Sequence, residues 1–201
     1  MRVRRFGIDL STCIMLVFGL CSMNYAFAMR MDKDLSVFQK GISPWTSTGD
    51  AWGIVHTPRV GEPLHPHPES QAGGEAAVGM IRSPVFTING DIITFMANGW
   101  DGRYGGKGLN GFFLKRASDN VILRKTAPPD QDAFVKITWL VSDFRGEKVY
   151  FEAVDRDNNE NGTGPGFAWI GFDHVKMFSL DVPASQSHLH PIRLPSPQST
   201  W

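Results

Sequence analysis

The chain has 201 residues, a formal net charge of +0 and a sequence pI of about 7.0. This length suits one domain with a substantial core, and the neutral charge argues against a polyanionic partner such as nucleic acid. The 21 glycines and 13 prolines indicate many turns, and no long stretch has apolar residues at helical spacing. An all-β domain is therefore predicted.

Residues 1–28 have the three parts of a signal peptide. A basic start precedes an apolar run at residues 13–20, and Ala26 and Ala28 fit the small residues of a cleavage site. We expect cleavage after Ala28 and export to the periplasm or the extracellular space. A retained membrane anchor is the alternative, although Asp9 interrupts the apolar count that a membrane span requires.

Both cysteines, Cys13 and Cys21, lie in this leader. The exported domain would therefore have neither disulfides nor thiolate metal sites. Lipidation at Cys21 is disfavoured because Leu20 stands where such a site requires a small residue. Loss of three arginines and one aspartate with the leader would change the net charge from +0 to −2.

The first half of the domain contains several candidate strands. Residues 29–43 form a lead-in segment to which the pattern assigns no element. Trp45 and Trp52 are expected to cap one end of a core, residues 54–57 to form a short strand, and the proline-rich residues 58–74 to form a surface loop. The run at residues 77–88 is divided at Ser83 and Pro84 into two extended pieces.

Asn89 and Gly90 predict a tight hairpin turn into a strand at residues 91–97. Residues 98–108 contain five glycines and are expected to form a long loop. A second hairpin is predicted from residues 109–116 and 121–125. A strand at residues 134–139 and a turn at residues 140–146 follow.

Residues 148–155 and 167–175 are predicted to be two strands of an antiparallel sheet, joined by an acidic turn. About eight short strands, with turns roughly every ten residues, predict an antiparallel β-sandwich or jelly roll over residues 44–180. Residues 181–201 are proline-rich and are expected to form an extended tail.

Several short motifs also have a recognisable order and spacing. They are Trp45-x-x-x-Gly49-Asp50-Ala51-Trp52, residues 79–88, residues 110–114 followed by Arg124, Thr138-Trp139, and Asp155 with Trp169-x-x-x-Asp173-His174-Val175. Together they resemble the galactose-binding-like β-sandwich module of secreted bacterial proteins, the non-catalytic module that accompanies levanase and sucrose-hydrolase domains. The resemblance implies a jelly roll over residues 45–178 and carbohydrate binding.

The acidic turn contains a candidate calcium site. Asp155, Asp157, Asn159 and Asn161 place oxygen ligands at alternate positions before Gly162. Calcium needs several oxygen ligands, and one short loop could supply them in this pattern. A solvated loop of Asx turns is the alternative.

The glycine-rich loop contains the candidate ligand-binding residues Trp100, Asp101, Arg103 and Tyr104. An aromatic ring stacks on a sugar ring, while arginine and aspartate hydrogen-bond to its hydroxyl groups. The alternative is that Trp100 folds back over the sheet edge as part of the core. Trp169 is expected to be a core residue.

Two His-x-His pairs, His65 with His67 and His188 with His190, could each give two nitrogen ligands to zinc or copper. The alternative, ordinary loop and tail residues, is favoured because no third ligand is fixed nearby. His56 and His174 are expected to be structural.

Catalysis has little support in the sequence. Nucleophile-elbow, phosphate-loop and dinucleotide fingerprints are absent, and Glu75, Glu152 and Asp173 form no recognisable glycosidase pair. The leading hypothesis is an exported, non-catalytic module that binds a carbohydrate or glycan. The alternative is a structural subunit that docks on a periplasmic or membrane-associated protein complex.

Overall fold

The computed structural model describes residues 28–36, 38, 40–56, 66–102, 105–159 and 167–181. Within these ranges, Met29–Asp181 forms one compact unit. The predicted leader before residue 28 and the proline-rich tail after residue 181 lie outside the described residues. Arg103, Tyr104, Asn161, His65, His188 and His190 also lie outside them.

The described residues form strands and two short 3-10 turns, at Ser70–Gly73 and Ser142–Phe144. Neither turn is long enough to cross a membrane, and the described ranges contain no other helix that could. The strands are β1 (Ala28–Asp34), β2 (Thr46–Gly49), β3 (Gly53–Val55), β4 (His67–Glu69), β5 (Gly79–Arg82), β6 (Phe86–Thr87), β7 (Ile92–Gly99), β8 (Gly111–Arg116), β9 (Ile122–Thr126), β10 (Gln131–Leu140), β11 (Lys148–Asp155) and β12 (Ile170–Asp181).

These strands form two sheets, which confirms the predicted antiparallel β-sandwich. Sheet A has the order β10-β7-β12-β4-β3, and β1 also pairs with β12. Sheet B has the order β2-β5-β11-β8-β9, and β6 also pairs with β11. The last two strands of the sequence, β11 and β12, are therefore the central strands of their sheets.

The alternating pattern of β11 explains how this strand is placed. Val149, Phe151 and Ala153 point into the core and are fully buried, whereas Tyr150 and Glu152 point to the outer face. The β8–β9 hairpin was predicted and is confirmed, with Phe113 opposite Lys125.

Aromatic side chains from both sheets fill the core. Phe151 of sheet B lies at its centre, with ring centroids 5.2 Å from Phe172 and 5.1 Å from Phe95 of sheet A. Trp45 packs against Phe151 and Phe172, and Trp52 against Phe172. The expectation that the two tryptophans cap one end of the core is wrong, because both belong to its interior.

The predicted hairpin at Asn89 and Gly90 is also wrong. β6 pairs with β11 in sheet B, whereas β7 pairs with β10 and β12 in sheet A, so the chain crosses between the sheets here. A Cβ atom on Gly90 would lie 2.6 Å from the carbonyl oxygen of Phe178. This glycine permits a close approach of two backbones rather than a hairpin turn.

The strands at residues 148–155 and 167–175 do not belong to one sheet as predicted. β11 belongs to sheet B and β12 to sheet A, and the acidic turn joins the two sheets. Alternation reports that one face of each strand is buried, which is equally true of strands in facing sheets.

The expected surface loop over residues 58–74 is wrong in its C-terminal part. β4 pairs Ile54 with Pro68 and lies between β3 and β12, and His67 and Glu69 are buried. β1 is a second unpredicted strand, in a segment that gave no pattern. β1 pairs with β12, and the amide of Leu35, just after β1, donates to the Val175 carbonyl at 2.9 Å.

We expect Phe151→Ala to lower the free energy of unfolding by about 3–5 kcal/mol, because it opens a cavity where both sheets meet. Urea denaturation followed by tryptophan fluorescence measures the loss. Val85→Ala removes an exposed side chain and serves as the control, with an expected change under about 0.5 kcal/mol. A loss below about 1 kcal/mol for Phe151→Ala would contradict this account of the core.

Candidate functional site

Three connections meet at one end of the sandwich, and we call this region the loop end. Their described parts are residues 100–102 and 105–110 between β7 and β8, residues 127–130 between β9 and β10, and residues 156–159 and 167–169 between β11 and β12. The Trp100 amide donates to the Trp169 carbonyl at 2.7 Å, and the Asp101 amide donates to Asp130 Oδ1 at 3.3 Å. The first loop is thus attached to both of the others.

Asp101 organises the glycine-rich loop from within. Its carboxylate accepts hydrogen bonds from the backbone amides of Gly108, Leu109 and Asn110, the last two at 2.9 Å. The side chain is 1% exposed. These three hydrogen bonds fix the conformation of the loop backbone. A direct contact between Asp101 and a ligand stays a prediction.

The glycines of this loop are required by its backbone. The residues with positive φ are Gly99, Gly102, Gly105, Gly106 and Gly108. At Gly99 a Cβ atom would also lie 2.3 Å from the Trp169 carbonyl oxygen. A side chain here would be strained by its φ and would clash with the neighbouring strand.

Asn110 joins the two sites that the sequence predicted separately. Its Nδ2 donates to the Trp100 carbonyl at 2.9 Å, and its Oδ1 accepts from the amides of Arg156 at 3.0 Å and Asp157 at 3.2 Å. The side chain is buried. The candidate sugar loop and the candidate calcium loop therefore form one unit.

Trp100 is half-buried at the loop end. Its Nε1 donates to Asp132 Oδ1 at 3.0 Å, and its ring meets Phe167 edge-on with centroids 4.8 Å apart. The indole is thus neither a core residue nor a freely rotating one. The sequence pattern did not single out Asp132. This residue comes shortly after a Pro-Pro-Asp turn, which is a sequence signal for a loop of fixed conformation.

The acidic loop after β11 is a series of Asx turns. The amide of Asp157 donates to Asp155 Oδ1 at 3.1 Å, and the amide of Asn159 donates to Asp157 Oδ1 at 3.1 Å. Lys107 Nζ lies 3.0 Å from Asp157 Oδ2. This lysine, from the glycine-rich loop, compensates the charge of a fully buried carboxylate.

Asp155 is the first of the predicted calcium ligands in this loop. Its Oδ2 is buried without a hydrogen bond. Across the described ranges, no group of three or more histidine, cysteine, aspartate or glutamate side chains is arranged to hold a metal ion. Asn161 lies outside these ranges, so the calcium site stays a prediction.

Burial raises the pKa of Asp155 to about 7. The nearby charges of Asp157 and Glu75 raise this pKa further, while the Ser70 hydroxyl and the Asp157 amide act in the opposite direction. A carboxyl group of this kind holds its proton up to near-neutral pH.

The remaining candidates lie apart from one another. His67 Nε2 is 3.5 Å from Glu69 Oε2, and the His67 ring packs against Phe134. His174 Nδ1 is 2.8 Å from Asp173 Oδ2, at a β-bulge in β12. The structure therefore places these groups in separate polar contacts.

No protein-family model and no curated protein matches the chain. Several solved structures share limited similarity. Two are adhesin domains of Lys-gingipain from Porphyromonas gingivalis W83. The K3 domain has 14% identity and a TM-score of 0.49, covering 75% of this chain and 100% of that one. The K1 domain has 16% identity and a TM-score of 0.47, covering 78% and 99%.

A third structure is TmCBM61 in complex with β-1,4-galactotriose. It has 12% identity and a TM-score of 0.41, covering 70% of this chain and 90% of that one.

We expect protein stability to fall as the pH rises from about 4 to about 7. The folded state holds the Asp155 proton up to a pKa of about 7, whereas the unfolded state releases it near 3.8. The effect is at most on the order of 4 kcal/mol. Asp155→Asn should remove this slope in urea denaturation measured across the pH range.

Asp143→Asn, at an exposed carboxylate, controls for the change of charge. An unchanged pH slope in Asp155→Asn would show that this carboxyl group does not hold its proton in the folded state.

Proposed function

We propose that the protein is an exported, non-catalytic module that binds carbohydrate at the loop end, with Trp100 as the stacking platform. The observation that carries this proposal is the fixed, half-exposed indole. Its backbone amide and its Nε1 donate to Trp169 and Asp132, and its ring packs perpendicular to that of Phe167. A flat apolar ring beside polar groups is what a sugar, with one apolar face and many hydroxyls, requires.

Polar groups surround this ring. Asp132 uses only one carboxylate oxygen, Oδ1, for Trp100, so Oδ2 can accept a hydrogen bond from a sugar hydroxyl. Arg103 and Tyr104 follow in the same loop and would add donors. Asp101 would act through the backbone, because its carboxylate already binds three amides.

Hydrogen bonds hold part of the loop end in a way that favours binding. Asp101 and Asn110 are buried and hydrogen-bonded, so the backbone that they bind has its conformation before a ligand arrives. Preorganisation lowers the entropy cost of binding, which matters for sugars because each hydroxyl exchanges one hydrogen bond with water for one with protein.

Trp100→Ala is expected to weaken binding of the best ligand on a glycan array about ten-fold or more, because the stacking surface is lost. Isothermal titration with that ligand gives the affinity. Phe178→Ala, a half-buried aromatic residue at the opposite end of β12, is the matched control and should keep the affinity.

Retention of no saccharide by the wild-type protein would contradict the proposed function. Co-purification of a stoichiometric envelope protein, together with no glycan binding, would favour the alternative of an interaction subunit.

A structural calcium ion is the second part of the proposal. Asp155 and Asp157 would hold it with Asn159 and Asn161, and the ion would supply positive charge to a loop that joins the sheets. Support comes from the unbonded Oδ2 of Asp155, which is buried and needs a partner when it is ionised.

At pH 8, calcium is expected to raise the melting temperature of the wild-type protein by several degrees, because it binds the folded state alone. The shift should be larger in Lys107→Met, where Asp157 loses its cation, and absent in Asp155→Asn. Magnesium serves as the control ion. Equal melting with calcium and with chelator, in both the wild type and Lys107→Met, would exclude the site.

A further inference from the structure

On the outer face of sheet B, arginine and lysine side chains surround a shallow surface of apolar side chains, which we call the apolar floor. We call this outer face the cationic face. Its residues lie on β5, β11, β8 and β9 and on the residue that follows β11. They are Met80, Arg82, Phe113, Lys115, Lys125, Glu152, Val154 and Arg156.

Glu152 lies at the centre of this face and is 1% exposed. Arg82 Nη2 donates to its Oε2 at 2.7 Å, and Lys115 donates to its Oε1. In the cross-strand register, Glu152 stands opposite both Arg82 and Phe113, and Phe113 stands opposite Lys125. One carboxylate is thus covered by two cations, and a positive charge remains at its surface.

Lys125 and Arg156 add further positive charge. Both are exposed, and neither forms an ion pair with any residue that the structure describes. The cationic face therefore carries four cations against the buried carboxylate of Glu152, with the buried Asp155 beside Arg156, in a chain whose formal net charge is +0. Such a local excess raises the concentration of anionic ligands near the surface.

The floor between these charges is apolar and shallow. One depression is lined by Met80, Val154 and Arg156, together with Val78 and the buried Asp155. A second is lined by Phe113 and Lys125 together with Gly108 and Asn110 of the glycine-rich loop. The second depression makes the cationic face continuous with the loop end.

The ring of Phe113 lies against Gly111 of the same strand, which has no side chain to exclude it. A Cβ atom on Gly111 would lie 3.1 Å from Phe113 Cζ, which is tighter than ordinary contact. The ring therefore occupies the space that a side chain at position 111 would fill, and it extends the apolar floor toward Asn110.

We propose that the cationic face binds an anionic polysaccharide, one whose sugars carry carboxylate or sulfate groups and which reaches the face from the loop end. In the cross-strand register, Arg82, Glu152, Phe113 and Lys125 follow one another on strands about 4.8 Å apart, so a cation stands at each end of this row and the Phe113 ring lies within it. A chain of acidic sugars offers anionic groups to these cations and an apolar ring face to Phe113. The inference rests on the proposed carbohydrate function and names its ligand class.

Other polyanions fit this face less well. A nucleic-acid partner is disfavoured because the formal net charge of the whole chain is +0. Among the apolar side chains between the cations, Val154 is buried and Met80 and Phe113 are half-buried, while the exposed Ile122 and Val78 border the face. A membrane surface would favour protruding apolar side chains at its centre.

The test measures retention of the full chain on immobilised polygalacturonate, with a neutral galactan column alongside. Arg156 binds Asn110 of the loop end through its backbone amide, which an alanine keeps. We therefore expect Lys125→Ala combined with Arg156→Ala to weaken polygalacturonate binding roughly ten-fold and to leave galactan binding unchanged. The matched control, Lys33→Ala combined with Lys136→Ala, removes two exposed lysines from sheet A and should bind as the wild type does.

Polygalacturonate binding that the Lys125 and Arg156 substitutions leave unchanged would overturn the inference. Binding to galactan but not to polygalacturonate would overturn it while leaving the proposed function standing. Polygalacturonate binding that needs these two cations but not Trp100 would support the face and overturn the loop-end site. Variant-sensitive binding to phosphatidylglycerol vesicles, with no polysaccharide retention, would overturn the inference in favour of a lipid surface.

Discussion

The contact between Phe151 and Phe172 holds the two sheets together. Phe151 stands on the central strand of sheet B and Phe172 on that of sheet A, with ring centroids 5.2 Å apart. Beyond residue 28 the sequence has no cysteine, so no disulfide can share this task. The sandwich depends on aromatic packing, and the loop end is positioned by the strands that this packing fixes.

Two buried polar side chains fix the conformation of the surface loops that follow these strands. Asp101 binds three backbone amides of its own loop, and Asn110 links this loop to the acidic one. Each would be costly to bury without its partners, so the hydrogen bonds select one loop conformation among many. The ring of Trp100 and the apolar floor beside Phe113 are fixed because these hidden groups are satisfied.

Local patterns predicted local structure well and long-range structure poorly. β11 and the β8–β9 hairpin were predictable because alternation and a short turn specify them. Gly90 was misleading because a glycine that permits close backbone approach looks the same in sequence as one in a hairpin. Prolines concealed β4, since they are rare in strands yet tolerated where no amide is needed.

The site was predictable in part for the same reason. Trp100 and Asp157 stand out as residue types suited to binding, but the partners that place them are distant in sequence. Asp132 is 32 residues from Trp100, and Asn110 is 47 residues from Asp157. The cationic face was invisible because its charges come from four strands that only the fold makes neighbours.

The position of β11 and β12 also determines when the chain can fold. Without these two strands, sheet B reduces to the pairs β2–β5 and β8–β9, and sheet A to β10–β7 and β3–β4. Isolated two-stranded pairs are marginally stable in water, so a nascent chain that stops before residue 148 cannot complete either sheet. Pairings such as Arg82 with Glu152 join distant residues, which makes folding slow and places it after nearly all of the domain has been synthesised.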